Sequence, residues 1–134
     1  MSNGYGEMIC PVCGAVATES HHIVFRSECS ALIKCDMNLV KLCHNCHDNL
    51  HHGKNGHKIN KKLKLEYFQN KIEILFCKNE LSKEEIRKTL KITESEVNRL
   101  LKTLMPKDDK YIREDVIRAC MGGKIIIEDE NNGL

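Results

Sequence analysis

Two CxxC pairs lie in the first third of the chain. They are Cys10/Cys13 and Cys43/Cys46, with 29 residues between them. Each pair can place two thiolates on one side of a tight turn, and four such sulfurs make a closed tetrahedral zinc site. A redox CxxC and a set of disulfides are the alternatives, but the first usually comes singly beside a βαβ pattern and the second needs an oxidising compartment. The spacing therefore predicts a structural Zn²⁺.

The other four cysteines have no partner at ligand spacing; they are Cys29, Cys35, Cys77 and Cys120. Free cysteines commonly behave as small buried hydrophobic side chains, and we expect that role here. Cys29 and Cys35 lie between the two CxxC pairs, so either could replace a ligand in the zinc site.

Six of the seven histidines precede residue 53, which points to a second metal site. His47 and His51 are four residues apart, so a helix would place both imidazoles on one face. Two or three imidazoles plus water leave the open coordination position that a catalytic metal requires, and His21 can supply the third imidazole. In an extended segment the neighbouring His22 points to the opposite face. His22 is then free to act as a base that takes a proton from water.

The order of these residues resembles the HNH endonucleases, the zinc-stapled branch of the ββα-metal nucleases. The resemblance covers about residues 8 to 55 and rests on Cys10-x-x-Cys13, His21-His22-Ile23, Asn38-Leu39-Val40-Lys41-Leu42-Cys43-His44-Asn45-Cys46-His47 and His51. It implies an α+β fold in which a small ββα-metal unit with a Cys₄ zinc site is followed by a mostly helical C-terminal region.

The resemblance also implies a role for each motif residue. His22 would be the general base, His21 and His47 would bind a catalytic divalent ion, and Asn38 would fix the loop between the strands. The ion could be Mg²⁺, Mn²⁺, Ni²⁺ or Zn²⁺. His51 matches a third ligand position that varies among members of the family.

Two details of the motif are less regular. His52 is a rival for the third ligand position, although it is five rather than four residues after His47. Many relatives have Pro shortly after HHI, where this chain has Val24-Phe25-Arg26. Arg26 lies four residues after the base and is a candidate for holding the scissile phosphate through its planar guanidinium, although a solvated arginine is equally compatible with the sequence.

These placements predict the elements of the N-terminal region. We expect a zinc knuckle at 9–14, a strand at 17–25, one helical turn within 27–34, a returning strand at 37–42 and a helix from about 45 to 53. So small a unit buries little apolar surface, and the zinc should supply part of its folding free energy.

The composition becomes basic after this unit. Residues 54–78 contain seven lysines and two glutamates, a local charge of +5, whereas the whole chain carries +2. Apolar residues at helical spacing predict an amphipathic helix over 59–77. The lysines are candidates for salt-dependent contacts with DNA, and a solvated helix face is the alternative interpretation.

Two capping-box patterns follow, at Ser82/Glu85 and Thr93/Glu96, and they predict two short helices. The apolar spacing is similar to the phage and sigma-type helix-turn-helix, whose second helix, here 94–104, enters the major groove. The exposed candidates for base or phosphate contact are Glu94, Ser95, Asn98, Arg99 and Lys102, of which Asn98, Arg99 and Lys102 are the predicted DNA-binding residues. Lys91 stands where Gly is usual at the turn, and an ordinary helical hairpin explains the same periodicity.

The chain thus divides into an HNH unit at 8–57, a basic amphipathic helix or linker at 58–78, a helix-turn-helix-like region at 81–127 and a tail at 128–134. Within the third part we expect a helix at 109–121, stopped by Gly122-Gly123, and a short strand at 124–127. The tail is acidic and lacks apolar anchors, so we expect it to be disordered.

The whole composition fits a globular protein of 134 residues with 41% apolar residues and no apolar run of membrane-spanning length. Reduced cysteines suggest the cytoplasm of a bacterium or of a phage-infected host. The sequence favours a metal-dependent DNA endonuclease that nicks or cuts DNA, with the helix-turn-helix as its targeting element. The alternative is a non-catalytic zinc-containing DNA-binding regulator or phage packaging factor. The oligomeric state is left open.

Overall fold

The computed structural model describes residues 9–127, which form an α+β fold of short helices and two-stranded antiparallel sheets. The chain starts with a tight turn in which the Cys10 amide donates to the Ala15 carbonyl at 2.7 Å and Ile9 pairs with Val16. Gly14 closes this turn with φ of +85°, a conformation that residues with a Cβ rarely adopt. A tight turn is therefore present where the zinc knuckle at 9–14 is predicted.

Strand β1, Glu19–His22, pairs antiparallel with β2, Leu39–Leu42, with His21 opposite Val40. Both strands are shorter than the predicted 17–25 and 37–42. Asn38 ends β1, because its carbonyl accepts the Ile23 amide and its side-chain oxygen accepts the Val24 amide at 2.7 Å. The connection contains 3₁₀ turns at Ser30–Leu32 and Asp36–Asn38, and the second turn delays the start of β2.

Helix α1, His44–His52, begins at Cys43, whose sulfur accepts the Cys46 amide as an N-cap. After a short turn at 53–55, three helical segments run directly into one another. They are α2 (Gly56–Leu63), a π-helical segment (Lys64–Gln69) and α3 (Asn70–Leu75). The amphipathic helix predicted at 59–77 is therefore present, but it starts earlier and contains a π-helical interruption.

Gly56 makes the tight connection between α1 and α2 possible. A Cβ at this position would collide with the carbonyl oxygens of Leu50 and Asn49. Only glycine allows this close approach of the two backbones. The position of α2 beside α1 matters because α2 contributes to the site described below.

The C-terminal region contains β3, Glu80–Ser82, α4, Lys83–Leu90, α5, Glu94–Leu100, β4, Lys110–Ile112, and α6, Arg113–Cys120. β3 pairs antiparallel with β4, with Leu81 opposite Tyr111. The helix predicted at 109–121 is thus wrong at its start, because residues 110–112 pair with a strand 30 residues earlier. The helix at 94–104 is likewise too long, since α5 ends at Leu100.

Both predicted capping boxes are present and both are reciprocal. Ser82 and Glu85 exchange side-chain and backbone hydrogen bonds at the start of α4, and Thr93 and Glu96 do the same at α5. Lys91 adopts φ of +57° at the end of α4, the left-handed conformation that explains why glycine is usual at such a turn.

The segment 124–127, predicted as a strand, is not one. Gln69, which is 2% exposed, holds it instead: its Nε2 donates to the Ile126 carbonyl and its Oε1 accepts the Ile126 amide, both at 2.8 Å. The Gln69 side-chain amide therefore makes the two backbone hydrogen bonds that a neighbouring strand would otherwise make. The acidic tail at 128–134 lies outside the described residues.

Buried apolar side chains of both halves of the chain form one core. Helix α5 packs on the Ser30–Leu32 turn, and Val97 and Leu100 are buried there. The Cys35 thiol donates to the Leu90 carbonyl at 3.3 Å. The loop between β1 and β2 is therefore supported by the helical C-terminal region. Within residues 9–127, every helix is too short or too polar to cross a membrane.

Candidate active site

The four cysteines of the CxxC pairs converge on one point. The sulfur atoms of Cys10, Cys13, Cys43 and Cys46 all lie within 4.8 Å of one another, and the Sγ atoms of Cys13 and Cys43 are 3.6 Å apart. A tetrahedral zinc site with Zn–S bonds of about 2.3 Å requires sulfurs roughly 3.8 Å apart. A disulfide would need about 2.05 Å. The predicted cluster is therefore present with the donor chemistry and spacing of a structural zinc site.

The environment of these thiols differs from one to the next. Burial opposes ionisation of Cys10, but backbone hydrogen bonds from Cys43, Cys13 and Val12 outweigh it and lower its pKa to about 6. Burial and the neighbouring thiols raise the pKa of Cys46. Cys29 and Cys35, which could have replaced a ligand, lie outside the cluster.

Three histidines form a second cluster. His21 comes from β1, and His47 and His51 come from successive turns of α1. One ring nitrogen of each lies within 4.8 Å of the others, and the ring centroids are 4.9–5.4 Å apart. Among the described residues His52 is not part of this cluster; it points toward Asp48, 4.0 Å away. The structure thus brings together the three histidines proposed as ligands.

Two residues fix the orientation of these rings. Glu19 Oε1 accepts from His47 Nδ1 at 2.7 Å, and Asn60 Oδ1 lies 3.2 Å from His21 Nε2. The hydrogen bonds leave Nε2 of His47 and Nδ1 of His21 with their lone pairs available, as a metal requires. Burial lowers the pKa of His21 to about 4, against the opposing effect of the Asn60 hydrogen bond, so this ring is neutral near pH 7.

The sequence interpretation missed both of these residues. Glu19 had a local signal, because it precedes His21 by two residues and shares its face of β1. Hydrogen bonds to His47 and His44 lower the pKa of Glu19, so the carboxylate stays ionised. Asn60 had no local signal, since 39 residues separate it from His21.

His22 is not part of the histidine cluster, although it lines the same cleft, and its ring is held by the loop between the strands. Its Nε2 lies 3.0 Å from the Ile33 carbonyl, which can only accept a hydrogen bond, so this nitrogen is the donor. The proton therefore sits on Nε2, and Nδ1 keeps its lone pair. The adjacent histidines of β1 thus have different surroundings, as the alternation of a strand predicts.

Asn38 is fully buried and joins β1 to the loop that holds His22. Its Nδ2 donates to the Val24 carbonyl at 3.0 Å and to the Leu32 carbonyl at 3.2 Å, and its Oδ1 accepts the Val24 amide. Leu32 directly precedes Ile33, whose carbonyl binds His22. Asn38 therefore fixes the backbone on both sides of this loop.

The histidine cluster, His22 and Arg26 face one cleft of about 620 Å³, called the histidine cleft below. Its walls are formed by Ser20, His21, His22, Phe25, Arg26, Ser27, His47 and His51. The cleft places an imidazole with a free lone pair beside three others that can share a metal ion.

The other candidate DNA contacts lie elsewhere. Asn98 accepts from the Lys83 ammonium at 3.1 Å, and Arg99 donates to the Ser30 carbonyl at 3.1 Å. Lys102, just after α5, is exposed. None of the three lines the histidine cleft.

Comparison with protein-family models, curated proteins and solved structures finds no match to this chain. The arrangement itself establishes a small α+β domain with a four-cysteine cluster and a three-histidine cluster, each able to bind a metal ion.

Replacing Glu19 by Ala is expected to weaken metal binding by the histidines about 10- to 100-fold, the usual effect of losing an outer-shell partner. Without the carboxylate, His47 loses the hydrogen bond that fixes its ring. Titration calorimetry of zinc-loaded protein with Ni²⁺ measures the change. Asp48→Ala is the matched control, because it removes a neighbouring exposed carboxylate that lies 4.0 Å from His52, a histidine outside the cluster. Equal Ni²⁺ affinities in the two variants would contradict this role of Glu19.

Proposed function

We propose that this protein is a metal-dependent DNA endonuclease of the HNH type, which hydrolyses phosphodiester bonds. The observation that carries the proposal is the histidine cleft, in which the lone pair of His22 is available beside three imidazoles able to share one ion. The order of β1, β2 and α1, with a cysteine cluster at the start of α1, supports the same family. The sequence resemblance over residues 8 to 55, which includes the same histidines, agrees with the proposal.

A divalent ion held by His21, His47 and His51 would supply Lewis acidity at the phosphate and offset charge on the leaving 3′ oxygen. His22 would accept a proton from the attacking water at Nδ1, while its Nε2–H stays on the Ile33 carbonyl. The guanidinium of Arg26, which lines the same cleft, would pair with non-bridging phosphate oxygens. The resemblance implies products with 5′-phosphate and 3′-hydroxyl ends.

The helices α4 and α5 are the proposed targeting element. They are joined by the left-handed turn at Lys91 and leave Asn98 and Lys102 exposed. Because the opposite face of α5 packs on the Ser30–Leu32 turn, DNA held by α5 would lie against the same domain as the histidine cleft. DNA contact at these residues stays a prediction.

The test is conversion of supercoiled plasmid to nicked or linear DNA by zinc-loaded protein, with and without added Mg²⁺, Mn²⁺ or Ni²⁺. We expect cleavage only with an added ion. Elemental analysis of the same sample should find about one tightly held zinc per chain, the content of one closed Cys₄ site. Binding of the plasmid without cleavage under any ion would favour the non-catalytic regulator instead.

A further inference from the structure

A second cleft, of about 390 Å³, lies between α2 and the segment that follows α6. Its polar lining consists mainly of His57, Asn60, Lys61, Lys64 and Lys124, and it is called the lysine cleft below. The proposed chemistry in the histidine cleft makes no use of its lysines.

The lysine cleft carries positive charge that the described residues do not balance. Lys64 pairs with Glu28 at 2.8 Å, and Glu28 is also the acidic residue that lines this cleft. Within residues 9–127, no carboxylate lies within 4.0 Å of the ammonium groups of Lys61 or Lys124. Both side chains are exposed, so an anionic ligand can reach them.

The two clefts share a wall. Asn60 lines the lysine cleft and is 8% exposed, and its side-chain oxygen binds His21, which lines the histidine cleft. The Lys64 ammonium lies 5.6 Å from the ring centre of Phe25, which also lines the histidine cleft. The two clefts are therefore neighbours, separated by one layer of side chains.

The far wall of the lysine cleft is held in place by a buried contact. The two hydrogen bonds between Gln69 and the Ile126 backbone fix the segment that carries Lys124. Gln69 belongs to the π-helical segment, and π-helical interruptions are frequent at functional sites. Lys124 is thus presented by an anchored backbone opposite Lys61 of α2.

We propose that the lysine cleft binds the DNA backbone directly beside the phosphate that is cleaved in the histidine cleft, with Lys61 and Lys124 each neutralising one phosphate. The inference rests on the proposed endonuclease function, because that function places the cleaved phosphate in the histidine cleft, next to the lysine cleft. DNA is the occupant that fits, because its phosphates recur every 3.4 Å of helix axis along each strand, so a strand with one phosphate in the histidine cleft has others close to the neighbouring lysines.

The experiment measures binding separately from cleavage. A short fluorescein-labelled DNA duplex is titrated with zinc-loaded His22→Ala protein, without added divalent ion, over a range of salt concentrations. The double substitution Lys61→Ala/Lys124→Ala in this background should weaken binding at least about 10-fold at low salt. It should also reduce the slope of log K against log salt by about 2, close to 0.9 for each lost phosphate contact.

Lys107→Ala/Lys110→Ala is the control, because it removes the same charge from two exposed lysines that line neither cleft and lie outside the basic stretch at 54–78. An equal loss of affinity and slope in both double variants, or no loss in either, overturns the proposal.

Failure of the lysine-cleft proposal can be distinguished from failure of the endonuclease proposal. Plasmid cleavage by a Lys61→Ala/Lys124→Ala protein that keeps His22, with unchanged KM, overturns the lysine cleft while leaving the nuclease intact. A wild-type protein that binds DNA through these lysines but never cleaves overturns the nuclease instead.

Discussion

Replacing His22 by Ala is expected to slow plasmid nicking about 10²- to 10⁴-fold, the usual contribution of a general base. The Nε2–H of His22 is held by the Ile33 carbonyl at 3.0 Å, so Nδ1 has no proton and can accept one from water. Alanine removes that acceptor and leaves His21, His47 and His51 untouched. Ni²⁺ affinity measured by calorimetry and duplex affinity measured by fluorescence anisotropy should therefore stay at their wild-type values.

His52→Ala is the control for this experiment. His52 is exposed, lies outside the histidine cluster and does not line the histidine cleft, so its loss should leave the nicking rate unchanged. Added imidazole should restore part of the rate of the His22→Ala protein, because a free base can replace a missing one, whereas it cannot repair a damaged fold. Wild-type nicking by His22→Ala would remove this residue from the mechanism.

The clusters that the sequence located correctly are built from residues that are close along the chain. Cys43 and Cys46 lie at the first turn of α1, and His47 and His51 lie one turn apart on one face of the same helix. Helical geometry alone therefore brings the members of each pair together. The partners from the N-terminal turn and β1 reach them because β1 pairs with the strand that leads into α1. Cysteine and histidine are common zinc ligands, so the residue types alone indicate which side chains can share a metal ion.

The contacts that the sequence did not disclose join distant segments through single side chains. Asn60 reaches His21 across 39 residues, and Gln69 reaches Ile126 across 57. Neither belongs to a periodic pattern or a spaced motif, and both are polar residues on an otherwise basic or apolar helix. β3 and β4, three residues each, are too short to leave an alternation that could be recognised before their pairing is known.

The loop between β1 and β2 contacts both the proposed base and the C-terminal helices. Ile33 in this loop binds His22, Asn38 holds its backbone at Leu32, and α5 packs on its Ser30–Leu32 turn. The sequence interpretation treated residues 8–57 and 81–127 as separate parts. In the fold, the loop that binds the proposed base packs against α5 of the C-terminal region.

Replacing Cys46 by Ser is expected to abolish zinc binding and unfold the N-terminal region. Structural zinc contributes about 10–16 kcal/mol in zinc-finger peptides near pH 7, as much as the whole stability of a typical domain of about 5–15 kcal/mol. The cysteine cluster ties the N-terminal turn to the start of α1, and α1 carries two of the three clustered histidines. Loss of zinc should therefore dismantle the histidine cluster as well.

Three measurements follow the Cys46→Ser protein together: zinc content by elemental analysis, thermal unfolding by circular dichroism, and Ni²⁺ binding by calorimetry. Zinc should fall from about one per chain to near zero, with loss of helical signal and of Ni²⁺ binding in the same sample. Cys77→Ser is the matched control, because Cys77 is exposed and lies outside the cluster, so all three properties should remain those of the wild type. If Cys46→Ser kept its zinc and its melting temperature, the four cysteines would not form the site that holds α1 in place. The histidine cluster would then have to be organised without the zinc, by hydrogen bonds such as those of Glu19 and Asn60, which contribute far less free energy than a metal.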